Sequence, residues 1–184
     1  MEDEREKLTA RWVMYNQRGR MEVPSDRSFE IYSKLLFRIA SADGELAESE
    51  REWIIGQRAA LGASNELIDM LKTYKPSDDD WKNLIELQRS FIESARYPLI
   101  YDAFQAAAAD FELHDDERRA ISELGHELGI DESTIEKIAE LFKEEQEIKK
   151  RRIALLYPPI VPNASQQKTE QERYHIDSDD EGSF

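Results

Sequence analysis

The sequence predicts an all-α protein, and three observations support this fold class. Glycine and proline are scarce, at 7 and 6 of 184 residues, so few residues interrupt a helix. Apolar residues recur every three or four positions, as one face of a helix requires, and no segment alternates apolar and polar residues as a half-buried strand does. The clearest apolar face lies between Ser28 and Ala42 and consists of Ile31, Leu35, Leu36 and Ile39.

Further helices are predicted from the same spacing and from residues that begin or end a helix. Ser77 and the three acids after it predict a helix start, because a serine hydroxyl caps free N–H groups and acids favour the positive end of the helix dipole. This helix is expected over 80–95. Tyr97-Pro98 is expected to break or kink the chain, and another helix is expected to run to about Ala109.

The two ends of the chain differ from its middle, and three regions are expected. An N-terminal helix and linker occupy 1–24, where the helix carries Leu8, Trp12, Val13 and Tyr15 and the tryptophan is expected to be a core or staple residue. A helical domain occupies 25–157, and its last helix begins at Asp131. Residues 158–184 are rich in Ser, Gln and acids, which predicts a disordered acidic C-terminal tail.

The overall charge and composition exclude several functions. The chain has 40 Asp plus Glu against 25 Lys plus Arg, a net charge of −15, and such an excess of carboxylates repels nucleic-acid phosphates. It has no cysteine, which excludes disulfides, thiolate metal sites and cysteine nucleophiles. No apolar run approaches the roughly 18 residues of a membrane span, and the acidic start MEDEREK is unlike a secretory signal. We expect a cytoplasmic protein without a transmembrane segment.

The most informative feature is an internal duplication with a spacing of 67 residues. The segment ADGELAESER (42–51) resembles the segment ADFELHDDER (109–118). The match extends in both directions and includes the glycine that follows the next helix, Gly62 in one copy and Gly129 in the other. Each copy predicts a helix, an acidic turn, a helix and a Leu-Gly stop, so we expect two pseudo-symmetric repeats with antiparallel neighbouring helices.

Each copy carries an acidic turn with carboxylates at matching positions. The first acidic turn (43–50) contains Asp43, Glu45 and Glu50, and the second acidic turn (110–117) contains Asp110, Glu112 and Glu117. Carboxylate oxygens without cysteine or several histidines suit Ca²⁺ or Mg²⁺. Neither turn is an EF-hand, because the first and third positions of such a loop would be apolar residues or serine. A cation site would therefore combine the acids in another way.

A purely structural interpretation of the same acids competes with cation binding. Acids are favoured in the first turn of a helix, and Glu50 and Glu117 occupy the third position, where a capping box has its carboxylate. Leu46 and Leu113 would act as hydrophobic staples. Capping explains only one or two acids in each turn, and the others repel one another unless a counterion or a partner relieves them. The residues alone leave both interpretations open.

At these residues the chain resembles the TerB family of tellurite-resistance proteins and the related N-terminal domain of DjlA-type membrane-anchored co-chaperones. The family pattern is Ala-Asp-Gly-x-aliphatic-x-x-x-Glu in two copies. Residues 42–50 match it fully, whereas residues 109–117 depart from it at Phe111, which replaces the glycine. The resemblance spans about Phe29 to Glu145. It implies a two-lobed helical fold, a role in stress or metal-resistance complexes near the membrane, and metal binding that involves Asp43, Glu50, Asp110 and Glu117.

The prediction is a noncatalytic TerB-like bundle of about seven or eight helices that binds Ca²⁺ or Mg²⁺ and docks onto protein partners in a stress-related assembly. The oxygens would come from Asp43, Glu45, Glu50, Asp110, Glu112 and Glu117. The alternative is a metal-free interaction module whose acidic face binds a basic partner. A third class is a hydrolase that uses these carboxylates on a bound metal. The sequence has no phosphate loop and no serine or zinc hydrolase motif, so no catalytic residue is expected.

Overall fold

The computed structural model of the protein describes residues 2–76, 81–109 and 113–158. Every regular element within these residues is an α-helix, which confirms the predicted fold class. The nine helices of the described residues are α1 (Glu2–Arg18), α2 (Asp26–Ala40), α3 (Glu48–Ala60), α4 (Asn65–Thr73), α5 (Trp81–Leu87), α6 (Arg89–Ser94), α7 (Arg96–Ala107), α8 (Asp115–Glu127) and α9 (Glu132–Leu156).

Two interruptions explain why the helices outnumber the seven or eight expected. The single helix predicted over 80–95 is divided into α5 and α6 at Gln88, whose backbone has φ −144° and ψ 38°. The predicted break near proline falls at Ala95, so Pro98 lies in the first turn of α7. Proline is tolerated there, because the N–H that it lacks would have no partner within the helix. The predicted helix start at Ser77 lies outside the described residues.

The predicted duplication is visible in the helix boundaries. α3 and α8 each contain 13 residues and begin at equivalent positions of the two copies. α4 and α9 differ in length but also begin at equivalent positions. Gly62 and Gly129, which follow α3 and α8, have φ of 93° and 69°. This left-handed conformation is the usual end of a helix and favours glycine. The repeat in the sequence is therefore a repeat of local structure.

α2 is the central helix of the bundle. It packs against α3, α4, α5, α6, α7 and α8, and it begins where the Ser25 hydroxyl accepts a hydrogen bond from the N–H of Ser28 at 3.2 Å. The predicted apolar face is confirmed, since its four residues are fully buried: Ile31, Leu35, Leu36 and Ile39. Burial of such a side chain stabilises the fold by about 1.5–3 kcal/mol, so this face anchors both repeats.

α1 has two opposite apolar faces. One is buried and consists of Ala10, Val13 and Met14. The other, which we call the N-terminal stripe, consists of Leu8, Trp12 and Tyr15, with exposed fractions of 70%, 66% and 60%. The prediction that Trp12 is a core or staple residue is wrong, because the smaller residues on the opposite face of the helix pack against the bundle and leave the tryptophan exposed.

A buried charge cluster fixes the end of α1 against the bundle. Arg18 Nη2 lies 2.6 Å from Asp102 Oδ2, and the Tyr32 hydroxyl donates to the same oxygen at 2.8 Å. Arg58 Nη2 lies 3.5 Å from this oxygen, and its guanidinium stacks over the Tyr32 ring at 4.7 Å. Asp102 and Arg58 are 1% and 2% exposed. The cluster therefore joins α1, α2, α3 and α7.

The chain divides into two compact units, Met1–Lys143 and Glu144–Phe184. The first unit contains α1 to α8 and the start of α9. The second unit contains the rest of α9, and residues 159–184 lie outside the described residues. The boundaries expected at 1–24, 25–157 and 158–184, including the acidic tail, stay predictions. None of the helices described here is long and apolar enough to cross a membrane.

Candidate metal centre

Each acidic turn leads into a helix whose third residue is a glutamate. Glu50 Oε2 accepts a hydrogen bond from the N–H of Ala47, the residue that precedes α3, at 2.8 Å. Glu117 Oε2 accepts the equivalent bond from His114 before α8, also at 2.8 Å. Neither of the two preceding residues caps its helix with a side chain. The capping role predicted for the two glutamates is confirmed.

The same two glutamates, which we call the carboxyl pair, bring the two acidic turns together. Glu50 and Glu117 are 3% and 1% exposed, and a hydrogen bond joins their side chains. Two carboxyl groups form such a bond only when one of them holds a proton. Burial raises the pKa of Glu117, and the nearby negative charge of Asp43 also raises it. The two repeats therefore meet at this buried carboxyl pair.

A second contact between the turns lies at the edge of the carboxyl pair. His114 Nε2 lies 3.9 Å from Asp43 Oδ2, and the side chain of Asp43 is 28% exposed. The other oxygen of Asp43 accepts a hydrogen bond from the N–H of Glu45 at 3.0 Å. Gly44, between them, has φ 102°, a conformation that side chains disfavour. The turn thus holds Asp43 beside the pair and in reach of solvent.

Glu45 is one of the residues that line a surface groove next to the turns. The groove has a volume of about 660 Å³ and is lined on one side by the end of α2 and on the other by α8. Arg38 and Arg119 line it together with Glu45, Asp116 and Glu123, so its charges are mixed. The two arginines offset most of the charge of the three acids, which makes this groove less suited to a cation.

The structure thus groups some of the predicted ligands and separates others. Asp43, Glu50 and Glu117 lie at the junction, and Glu45 lies in the groove. Asp110 and Glu112 lie outside the described residues. Within residues 2–76, 81–109 and 113–158, no group of three His, Asp or Glu side chains is arranged to hold a metal ion. The six-residue site stays a prediction.

His114 is the residue of this site that the sequence argument missed. It occupies the position of Ala47 in the first copy, immediately before the helix, and its imidazole faces Asp43 across the junction. A sequence comparison of the two copies shows the replacement of alanine by histidine. It does not show that the side chain turns toward the other copy, because that depends on how the repeats pack.

The acids at the junction carry the ligand type of a hard divalent cation, although the described ones are not arranged around one. All the acids present offer carboxylate oxygens, the ligands that Ca²⁺ and Mg²⁺ prefer. The burial of two acids side by side is relevant to a cation, because two buried negative charges need a positive charge beside them. A bound cation would supply that charge, and Asp43 at the edge would be the ligand closest to solvent.

These features define a class of protein, a duplicated helical domain whose two acidic turns meet at a buried carboxyl pair. Residues 32–140, more than half of the chain, match the family model of the tellurite resistance protein TerB. The chain belongs to the TerB family. This match confirms the resemblance predicted over about Phe29 to Glu145.

A solved structure supports the same assignment. The fold is similar to the crystal structure of a tellurite resistance protein from Nostoc punctiforme, with a TM-score of 0.76 and 29% sequence identity. The similarity covers 85% of this chain and 97% of that chain. Comparison with curated protein sequences gives no match.

Proposed function

We propose that this protein is a noncatalytic TerB module that binds Ca²⁺ or Mg²⁺ where its two acidic turns meet. Asp43, Glu50 and Glu117 would supply oxygens, together with Asp110 and Glu112 of the second turn. The observation that carries the proposal is the carboxyl pair, in which one buried glutamate from each repeat is hydrogen-bonded to the other. Glu45 is not among the proposed cation ligands, because it lines the surface groove next to the turns.

The energetic basis of the proposal is the cost of burying two acids together. A proton removes one of the two charges at low pH, whereas a divalent cation balances both when the proton leaves. Cation binding should therefore compete with protonation. Because the two glutamates belong to α3 and α8, the bound cation would also tie the repeats together and stabilise the fold.

The burial of the pair favours a noncatalytic role. Both glutamates are bound to backbone N–H groups at helix starts and are nearly inaccessible, so a substrate could not contact them. The proposed setting is a cytoplasmic stress or metal-resistance complex with protein partners. Membership of the TerB family and the name of the Nostoc protein as a tellurite resistance protein support this setting.

Thermal melts of the full chain test the cation site. We expect millimolar Ca²⁺ or Mg²⁺ to raise the midpoint of the wild type above that measured in chelator. A ligand at a hundredfold excess over its Kd stabilises the folded state by about 2.7 kcal/mol, which corresponds to several degrees for a chain of this length. The double variant Asp43→Asn/Glu117→Gln should not respond to either cation.

Glu52→Gln is the matched control, because it removes an exposed acid of α3 outside the junction. This variant should respond to cations as the wild type does. The metal proposal is wrong if neither cation moves the wild-type midpoint and the double variant is equally or more stable.

A metal-free interaction module is the second candidate, and the exposed acids around the junction favour it. Glu48 and Asp115, at the starts of α3 and α8, are both exposed and could contact a basic partner. In this case a fluorescent oligolysine peptide would bind with a salt-dependent affinity, and Glu48→Gln/Asp115→Asn would weaken its binding. Glu117→Gln, which changes a buried residue, would leave this binding unchanged.

A further inference from the structure

The second compact unit begins with a helical segment whose residues are almost all exposed. From Glu144 to the end of α9 at Leu156, only Gln146 is partly buried. A helix of this length is marginally stable by itself in water, because most helical stability in proteins comes from packing. The segment also carries large exposed apolar side chains, which mark a contact surface when they occur together: Ile148, Ile153, Leu155 and Leu156.

Three apolar residues form one row along α9. Leu141, Ile148 and Leu155 are seven residues apart, close to two full turns, so they lie on the same side of the helix. Their exposed fractions are 47%, 58% and 79%. This spacing is that of a coiled-coil seam, in which a narrow apolar row packs against a second helix. The row therefore fits a helical partner.

The charges of this segment change sign at Ile148, in the middle of the row. Residues 144–147 contain three glutamates and no base, and residues 149–152 are all Lys or Arg. Glu147 and Lys150 pair within the helix at 2.8 Å, but both are about two-thirds exposed, and such a pair contributes little. A second copy that runs in the opposite direction would place each acidic half against a basic half.

We infer that α9 forms the contact of a homodimer, in which its last part pairs antiparallel with that of a second copy about a two-fold axis at Ile148. The two Ile148 side chains pack against each other, and Leu141 of each copy lies against Leu155 of the other. The contact is isologous, as in most symmetric dimers. The paired segments are about 20 Å long and bury less than the ~1,600 Å² of a standard interface, so the dimer is weak and depends on concentration.

The positions of the charged residues around the helix support this arrangement. Successive residues are about 100° apart, so Glu145 and Arg152 lie on one side of the apolar row. Glu144 and Arg151 lie on the other side. A two-fold axis at Ile148 reverses the second helix but leaves the two sides in place, so each glutamate meets the arginine of its own side. A parallel pair would instead place acid beside acid, and an anionic membrane would repel the glutamates.

Sedimentation equilibrium of the full chain in chelator tests the dimer independently of cation binding. The average mass of the wild type should rise toward that of a dimer between micromolar and millimolar protein. Arg151→Glu/Arg152→Glu should stay monomeric, because acids then face acids. Lys149→Glu/Lys150→Glu is the matched control, since it makes the same change of charge farther round the helix from the apolar row, and it should dimerise like the wild type.

A wild type that stays monomeric at millimolar protein overturns the proposal, and so does one that binds vesicles of anionic lipid without dimerising. Equal loss of the dimer in the two charge-reversed variants would also overturn it, because the contact would then not depend on the side of the helix that carries the row.

A complementary charge reversal shows whether a monomeric variant has merely lost its helix. Glu144→Arg/Glu145→Arg should also stay monomeric by itself, because bases then face bases. Mixed with Arg151→Glu/Arg152→Glu, it should form a heterodimer, since opposite charges face each other again. A mixture that stays monomeric contradicts the proposed contacts.

The absence of native cysteine allows a direct test of the antiparallel arrangement. Under mild oxidation neither Leu141→Cys nor Leu155→Cys should form a disulfide-linked dimer by itself, because its two copies lie about 20 Å apart in an antiparallel pair. A mixture of the two variants should form one on a non-reducing gel. Cross-linking of Leu155→Cys by itself, or failure of the mixture, contradicts this arrangement.

Discussion

Within the residues that the structure describes, charge is buried at two places, and the charge is balanced differently at each. The carboxyl pair buries two acids, Glu50 and Glu117, side by side, and burial raises the pKa of Glu117. The buried charge cluster combines opposite charges, with Asp102 between Arg18 and Arg58. Asp102 and Tyr32 outweigh the effect of burial on Arg18 and raise its pKa, so this residue stays charged.

This difference indicates which of the two regions should respond to pH and to added cations. The charge cluster contains its own counterions, so neither pH near neutrality nor added cations should alter it. The carboxyl pair depends on the solution, because a proton can neutralise one of the two acids and, in our proposal, a divalent cation can balance both. The buried charge cluster holds the helices together, whereas the carboxyl pair makes the stability of the junction depend on pH and on cation concentration.

Loss of the acid in the charge cluster should have the largest effect. Asp102→Asn keeps the size of the side chain but leaves Arg58 buried without a counterion, and we expect the free energy of unfolding to fall by about 3–5 kcal/mol. Urea denaturation measures this loss. Asp69→Asn, which removes the exposed partner of Lys72, is the control and should cost no more than about 1 kcal/mol. Equal losses in the two variants would show that Asp102 does not hold the helices together.

Loss of the tyrosine hydroxyl should have the next largest effect. Tyr32→Phe keeps the ring that lies under Arg58 but removes the donor to Asp102. A hydrogen bond to a charged group contributes about 1.5–3 kcal/mol, so we expect a loss in this range by urea denaturation. The loss should be the same at every pH between mildly acidic and neutral values. A loss that varies strongly with pH would contradict a self-contained cluster.

The carboxyl pair should show the opposite behaviour, a strong dependence on pH. The folded-state pKa of Glu117 is raised above its ordinary value of 4.5, so the unfolded chain releases this proton before the folded protein does. Stability conferred by the raised pKa is therefore lost as the pH rises toward the folded-state pKa. Glu117→Gln does not titrate, so its free energy of unfolding, relative to wild type, should increase from acidic to neutral pH.

This comparison is made by urea denaturation in chelator at a series of pH values. Parallel stability curves for the wild type and Glu117→Gln would show that no shared proton contributes. In saturating Ca²⁺ or Mg²⁺ the relative gain of the variant at neutral pH should disappear, because the cation stabilises only the wild type.

Removal of the charge at the edge of the pair should have the smallest effect. Asp43 raises the pKa of Glu117, although burial is the larger cause. Asp43→Asn should therefore move the pH dependence of stability to lower pH without removing it. Carbon-13 NMR titration of the glutamate carboxyl groups measures this shift. An unchanged pKa of Glu117 in the variant would mean that Asp43 does not act on the pair.

The sequence predicted local features well because they depend on nearby residues. The duplication, the fold class, the apolar face of α2 and the family follow from spacing and motif. The capping positions of Glu50 and Glu117 follow from the order of residues at a helix start. One local feature was not predicted. The helix expected over 80–95 is divided at Gln88, whose backbone leaves the helical conformation, and no sequence signal that we recognise marks this break.

Which of these local features come into contact depends on the tertiary packing of the helices. Sequence periodicity placed Trp12 on an apolar face, but only packing showed that the opposite face of α1 is buried. The cluster of Arg18, Arg58 and Asp102 joins residues far apart in the chain, and no pattern of charges along the sequence predicted it.

The two acidic turns illustrate the division most clearly. The sequence alone shows that the two turns carry acids at equivalent positions. It also predicts that each turn leads into a helix whose third residue is a glutamate. Only the packing of one repeat on the other placed the two glutamates in contact and His114 beside Asp43. Helix starts depend on interactions within a few residues, whereas the burial of two like charges depends on contacts across the whole bundle.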